Sequence, residues 1–267
     1  MRNLQFLIML LLLSLIACRQ SGDLSKELVE AAKMGNLVKA ESLLRQGADV
    51  NSREQNGQLA LMGYNSLLWA SGKGHFEMVK LLLSYGADVN TTDTQNRSPL
   101  MMAAAGGYMD IAVLLLESGA DPYSYSKQKD TVLMAAAAGG HNELVLLFLG
   151  MGLDVDAAND LGKTALMSAA LRGHTQTVAS LLAGGAKIDL KDTMGNTALL
   201  LAAAGVLHKG GGSVDTVKML LAYGADPTIA NTNGDTPLSA AKSRGSLPVV
   251  ELLESVPLTP NVRFSPS

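Results

Sequence analysis

One spacing constrains this chain more than any other feature. Gly-Ala-Asp tripeptides end at Asp49, Asp88, Asp121 and Asp226, with Gly152-Leu153-Asp154 and Gly185-Ala186-Lys187 between them. Their glycines (Gly47, Gly86, Gly119, Gly152, Gly185 and Gly224) follow one another in steps of 39, 33, 33, 33 and 39. Asn65, Ser98, Thr131, Thr164, Thr197 and Thr236 step by 33 four times and then by 39, and Gly74, Gly107, Gly140 and Gly173 step by 33. A chain with such a period folds as stacked copies of one small unit, because a single copy cannot bury its own apolar face. Composition agrees. The chain is 48% hydrophobic but only 4% aromatic, so its apolar mass is small and aliphatic. That suits many similar thin helices better than one large mixed core.

Each period carries the same instructions. An Asn, Ser or Thr opens it, and such side chains cap a helix by accepting a backbone N–H. Pro99 and Pro237 follow two of these caps, at the first helical position where a missing donor costs nothing. A short Ala-rich helix comes next, as in Leu166-Met167-Ser168-Ala169-Ala170, and a glycine such as Gly173 ends it. A second helix carries a heavier stripe, as in Val79, Leu81, Leu82 and Leu83. Another glycine closes it before a polar turn such as Thr91–Asn96. The expected unit is two antiparallel helices and a projecting turn.

Ser98-Pro99-Leu100, Thr164-Ala165-Leu166, Arg172-Gly173-His174 and Gly86-Ala87-Asp88-Val89-Asn90 make this unit resemble the ankyrin repeat. The resemblance implies an all-α solenoid of about seven helix-pair units with projecting β-turns over residues 25–254. The units run about 25–51, 52–90, 91–123, 124–156, 157–189, 190–228 and 229–254. The first is abbreviated and carries Lys26, Glu27, Glu30, Lys33 and Lys39; the last lacks a Gly-Ala-Asp, so both read as caps. Many ankyrin repeats place His where this chain has Leu68, Met101, Met134, Met167, Leu200 and Ser239, which predicts slightly altered turns on an intact fold. Two units are longer by six residues, around Ser52–Tyr64 and Val206–Ser213, and insertions in a solenoid go to loops. The tail 255–267 contains Pro257, Pro260 and Pro266 and is expected to be extended.

Residues 1–17 stand apart from the repeats. Arg2 precedes an apolar run from Leu4 to Ala17, too short for the ~20 residues of a bilayer span and typical of a secretory signal. Leu15-Ile16-Ala17-Cys18 resembles the bacterial lipobox, and Cys18 is the only cysteine of the chain. The resemblance implies that Cys18 becomes the lipid-modified N-terminus, with residues 18–24 as a tether of at most roughly 20 Å. Arg19 follows the cysteine where an Asp would signal inner-membrane retention, so the expected location is the outer membrane, facing the periplasm of a Gram-negative cell.

Chemistry is scarce. His75, His141 and His174 share one register of the repeat, which gives them a structural role, and isolated His208 has no companion ligands. The run Gly205–Ser213 has Gly211 and Gly212 where a phosphate loop needs Lys and Ser or Thr. With a lone cysteine no internal disulfide forms. A net charge of -3 and pI of about 5.8 argue against a nucleic-acid partner. No catalytic residue, metal site or cofactor is expected.

In ankyrin arrays the turns and first helices line a concave face that binds protein. By register, the positions there that the fold does not demand are Tyr64, Lys73, Gln95, Arg97, Tyr123, Tyr125, Lys127, Gln128, Asp160, Leu161, Lys163, Leu171, Arg172, Lys191, Met194 and Asn196, with Arg244 beyond them. Tyr and Arg are enriched among energetic hot spots, which singles out Tyr123, Tyr125, Arg97 and Arg172. Ala105-Gly106 and Ala138-Gly139 should leave the middle of the face shallow, and Trp69 reads as a packed aromatic. The resemblance thus implies a monomeric, non-catalytic protein-interaction scaffold held to a membrane by lipid. The alternative is an immunity protein that masks one toxin or enzyme. Support of periplasmic peroxide defence, or an unrecognised enzyme, comes third.

Overall fold

The protein is described by a computed structural model over residues 24–53, 62–205 and 213–256. The signal-like segment, Cys18, the tail from 257, His208 and most of both inserted segments lie outside the described residues.

The described chain is helical and divides into two compact units. The first comprises residues up to Ala103 together with Asp110–Asp121; the second comprises Ala104–Met109 and the chain from Pro122 onward. The first unit holds α1 (24–33), α2 (Leu37–Arg45), α3 (Ser66–Lys73) and α4 (Phe76–Ser84), most of α5 (Pro99–Gly106) and most of α6 (Met109–Glu117). The second holds α7 (Val132–Gly139), α8 (Asn142–Gly150), α9 (Ala165–Leu171), α10 (Thr175–Ala183), α11 (Ala198–Ala204), α12 (Val214–Ala222), α13 (Pro237–Arg244) and α14 (Leu247–Ser255).

All six opening residues cap their helices. Asn65, Ser98, Thr131, Thr164, Thr197 and Thr236 each accept the backbone N–H three residues on, at 3.0–3.3 Å. The residues at the expected histidine position keep these caps. Leu68, Met101, Met134, Met167 and Leu200 are at most 4% exposed, so they exchange a polar contact for apolar burial worth about 1.5–3 kcal/mol per side chain. At Ser239 the hydroxyl instead accepts from the Thr236 N–H, completing a reciprocal capping box.

The Gly-Ala-Asp tripeptide has a separate task for each residue. The glycine adopts positive φ in all six copies, a backbone shape that glycine enters without strain. The next residue is buried in every copy but Ala186, and its N–H reaches back five residues to a carbonyl, as from Ala48 to Leu43, Ala120 to Leu115 and Leu153 to Phe148. The aspartate then accepts the N–H two residues on, as Asp49 does from Asn51 and Asp154 from Asp156. Helix end, direction change and turn are therefore written in three letters.

In the second unit the first helices pack in a row, α9 between α7 and α11 and α13 beyond α11. The second helices form their own row, α10 between α8 and α12, with α14 beyond α12. A helix with neighbours on both sides needs little amphipathicity. α7, written Val-Leu-Met-Ala-Ala-Ala-Ala-Gly, buries Val132, Leu133, Met134, Ala136 and Ala137. In the first unit α4 packs on both α2 and α3. Its terminal helices carry the expected charges in pairs, Lys39 with Glu27 at 2.9 Å and Lys33 with Glu30 at 3.3 Å. Among the described residues no helix is long and apolar enough to cross a membrane.

Candidate partner-binding face

The turn of the first unit is built on one buried carboxylate. Asp93 accepts the backbone N–H groups of Gln95 and Arg97, each at 2.8 Å, and its side chain is fully buried. Arg97 answers that charge, with Nε 2.7 Å and Nη2 2.6 Å from Asp93 Oδ2. The same guanidinium donates to Tyr64 Oη at 2.9 Å and lies 5.9 Å from the tyrosine ring centre. Burial opposes the charge of Arg97, but the Asp93 hydrogen bond and the surrounding charges hold its pKa above the ordinary value. Burial likewise raises the Tyr64 phenol, against the pull of Arg97.

Tyr64 is only 5% exposed, so it supports the turn from below and is not itself a contact surface. Its ring lies 4.7 Å from that of Trp69, which is half-buried. The ammonium groups of Lys33 and Lys73 stand 5.3 Å and 5.9 Å from the Trp69 ring centre, within cation–π reach. Trp69, expected only to pack, therefore joins Tyr64, Lys73 and Arg97 into one cluster. Nothing in its spacing marked this out, because Lys33 arrives from outside the regular register.

In the second unit the turns are tied to each other through their backbones. Asp160 N donates to Gln128 O at 2.9 Å, Thr193 N to Leu161 O at 3.0 Å, and Thr232 N to Met194 O at 2.9 Å. These bonds bring successive turns so close that a Cβ on Gly162 would lie 3.0 Å from Thr193 N. Apolar and aromatic side chains project from this tied row. Leu161 and Met194 are each 54% exposed, and Tyr125 is 57% exposed. Tyr123, Lys127, Gln128, Asp160, Arg172 and Lys191 are also exposed, as are Lys73 and Gln95 in the first unit, while Lys163 and Leu171 are half-buried. Asn196 is different. It is buried, donates to Asp192 Oδ2 at 3.0 Å and accepts from Asn231 at 3.0 Å, so it holds its turn together.

The histidine register is structural and directional. Nε2 of His75 lies 3.3 Å from Lys33 O, that of His141 3.1 Å from Ala105 O, and that of His174 3.2 Å from Ala138 O. Each ring thus satisfies a carbonyl left unpaired at a preceding helix end. Tyr108, one period after His75 and one before His141, occupies the same register, and that spacing could have revealed it. Ala105 and Gly106 are exposed, whereas Ala138 and Gly139 are half-buried. The Tyr108 ring fills the space a Cβ on Gly106 would take, and the His141 ring does so at Gly139. Small residues there make room for the following turn. Among the described residues, no three His, Cys, Asp or Glu side chains are grouped to hold a metal ion.

Comparison with known proteins places this geometry. The family model described as "Ankyrin repeats (3 copies)" matches residues 28–126 and 133–231. Ankyrin repeat and KH domain-containing protein mask-1 of Caenorhabditis elegans is 42% identical over 83 residues, covering 31% of this chain and 3% of that protein. Human ankyrin repeat domain-containing protein 40 is 28% identical over 88 residues, covering 33% and 23%. The chain therefore spans less than a quarter of the length of either relative. The crystal structure of the human ASB11 ankyrin repeat domain aligns with a TM-score of 0.73 at 28% identity, covering 86% of this chain and 98% of that one. Ankyrin repeats are typically non-catalytic domains that bind other proteins. With the matched segments covering more than half of its length, the chain belongs to the ankyrin-repeat family.

Proposed function

We propose that this protein is a non-catalytic binding scaffold, exported and held at a membrane by lipid on Cys18, that presents its turns to a protein partner. One observation carries the binding part: Tyr125, Leu161 and Met194 are more than half exposed on turns locked together by backbone hydrogen bonds. Their solvent-facing side chains are not needed to form those bonds, and a rigid support lowers the entropy lost on docking. The anchor rests on the signal-like residues 1–17 and the Leu15-Ile16-Ala17-Cys18 motif. The outer membrane facing the periplasm is the expected location.

Crosslinking in living cells followed by identification of captured proteins tests the reading. The combined Tyr125→Ala, Leu161→Ser and Met194→Ser variant should keep its helical circular dichroism and lose the partners captured by wild type. Equal capture would reject the turn face. Cys18→Ala should end lipid labelling and release the protein from membranes. Masking of one toxin or enzyme is the narrower form of this activity, and it predicts growth rescue when that target is co-expressed.

A further inference from the structure

We propose that the Trp69 cluster of the first unit is a docking site for an acidic segment of a partner protein, with a carboxylate side chain received beside the indole by Lys73 and Lys33. The inference rests on the protein-binding reading and names the chemistry of one partner.

Charge and access select the ligand. Two ammonium groups approach the Trp69 ring, at 5.3 Å and 5.9 Å from its centre, in a chain whose net charge is -3. Nearby negative charge is mostly committed elsewhere. Asp93 is fully buried and neutralised by Arg97. Glu30 meets Lys33 at 3.3 Å from an exposed position, a pair of the kind worth about 1 kcal/mol or less. Lys73 forms no ion pair among the described residues. Both lysines stand at helix C-terminal ends, where the helix dipole favours a cation, and Lys73 keeps its charge there without an acid. Tyr64, locked by Arg97, backs the indole and fixes its position. A half-buried ring between helix ends admits a narrow side chain better than a sheet of lipid headgroups.

Trp69 is the only tryptophan, so its fluorescence reports this site alone. The full chain in neutral detergent is titrated with hexaglutamate, with hexalysine as the control peptide. The expected result is a saturable change in Trp69 emission that weakens at 0.5 M salt, as screening shortens the reach of the charges to roughly 4 Å. Lys73→Gln should weaken binding about fivefold, Lys73→Arg should retain it, and Lys33→Gln with Lys73→Gln should weaken it more than tenfold. Helical circular dichroism checks that each variant folds. No emission change, an equal response to hexalysine, or undiminished binding by the double variant would overturn the proposal. So would a response to phosphatidylglycerol vesicles without one to hexaglutamate. Failure of the scaffold reading looks different, because wild type then captures no protein partner in cells.

Discussion

Where the first unit places Asp93 in its turn, the second unit places Ser126, Asn159, Asp192 and Asn231. All five accept two backbone N–H groups from their own turn. They differ in what answers them four residues on. In the first unit it is the guanidinium of Arg97; in the second, Asn196 answers Asp192 with an amide, and Asp130 answers Ser126 by accepting from its hydroxyl. The fold thus requires only a side chain that accepts two N–H groups. An ion pair exceeds that requirement, and its surplus donors reach Tyr64 and, through it, the Trp69 cluster.

Removing each answering residue in turn tests this contrast most severely. Arg97→Ala leaves a fully buried carboxylate without its cation and should cost about 2–3 kcal/mol, allowing for the partial exposure of the arginine. Asn196→Ala removes one amide donor from the Asp192 carboxylate, which keeps its two backbone N–H bonds, and should cost about 1–2 kcal/mol. Equal losses in urea unfolding would mean that the charge adds nothing to the turn.

A gain in stability is expected from Lys129→Gly. Lys129 and Asn96 are the described non-glycine residues at positive φ, in equivalent turn positions. A lysine is strained there by about 1–2 kcal/mol, whereas asparagine tolerates the shape. After the loss of its exposed ion pair with Asp160, Lys129→Gly should gain about 0.5–1 kcal/mol, and Asn96→Gly less. Thermal unfolding of the two variants checks the order.

The smallest effect is a pH-dependent one. Burial holds the Asp189 carboxyl above its ordinary value of 3.8; the Asp226 N–H works against this, and the Asp226 charge adds to it. A raised folded-state pKa gives stability that is complete below 3.8 and lost as pH rises through the folded value. Asp189→Asn should therefore raise the melting temperature at pH 7 and leave it unchanged at pH 3. A gain of equal size at both pH values would exclude the carboxylate as its cause.

Most of the repeat was legible because caps, glycines and aspartates act locally. Each satisfies a backbone group within five residues, so period and residue type suffice to place it. The candidate face was harder to read, because exposure depends on partners distant in sequence. Tyr64 and Asn196 share their register with half-buried Arg97, Asp130 and Lys163 but are drawn further inward, one by Arg97 and the other by Asn231, each from the following repeat. At Gly106 and Gly139 the ring two residues on takes the place of a Cβ, a role for glycine that the period does not reveal. Trp69 gained its role only when Lys33 arrived from another helix.

The contacts of the histidine register also give the molecule a polarity. Every histidine of that register reaches backward, and its ring presses on a positive-φ glycine of the preceding helix pair: His75 on Gly35, His141 on Gly107 and His174 on Gly140. Gly245 has the same backbone shape, but no described atom lies within 4 Å of where its Cβ would be. It is a socket without a plug. A helix pair grafted after α14 with histidine at that register should seat its ring on Gly245 without altering a described residue before it, although Ser213 and Ser246 show that a helix pair also stacks without one. The Gly245 socket therefore offers a designer one defined point at which to lengthen the array.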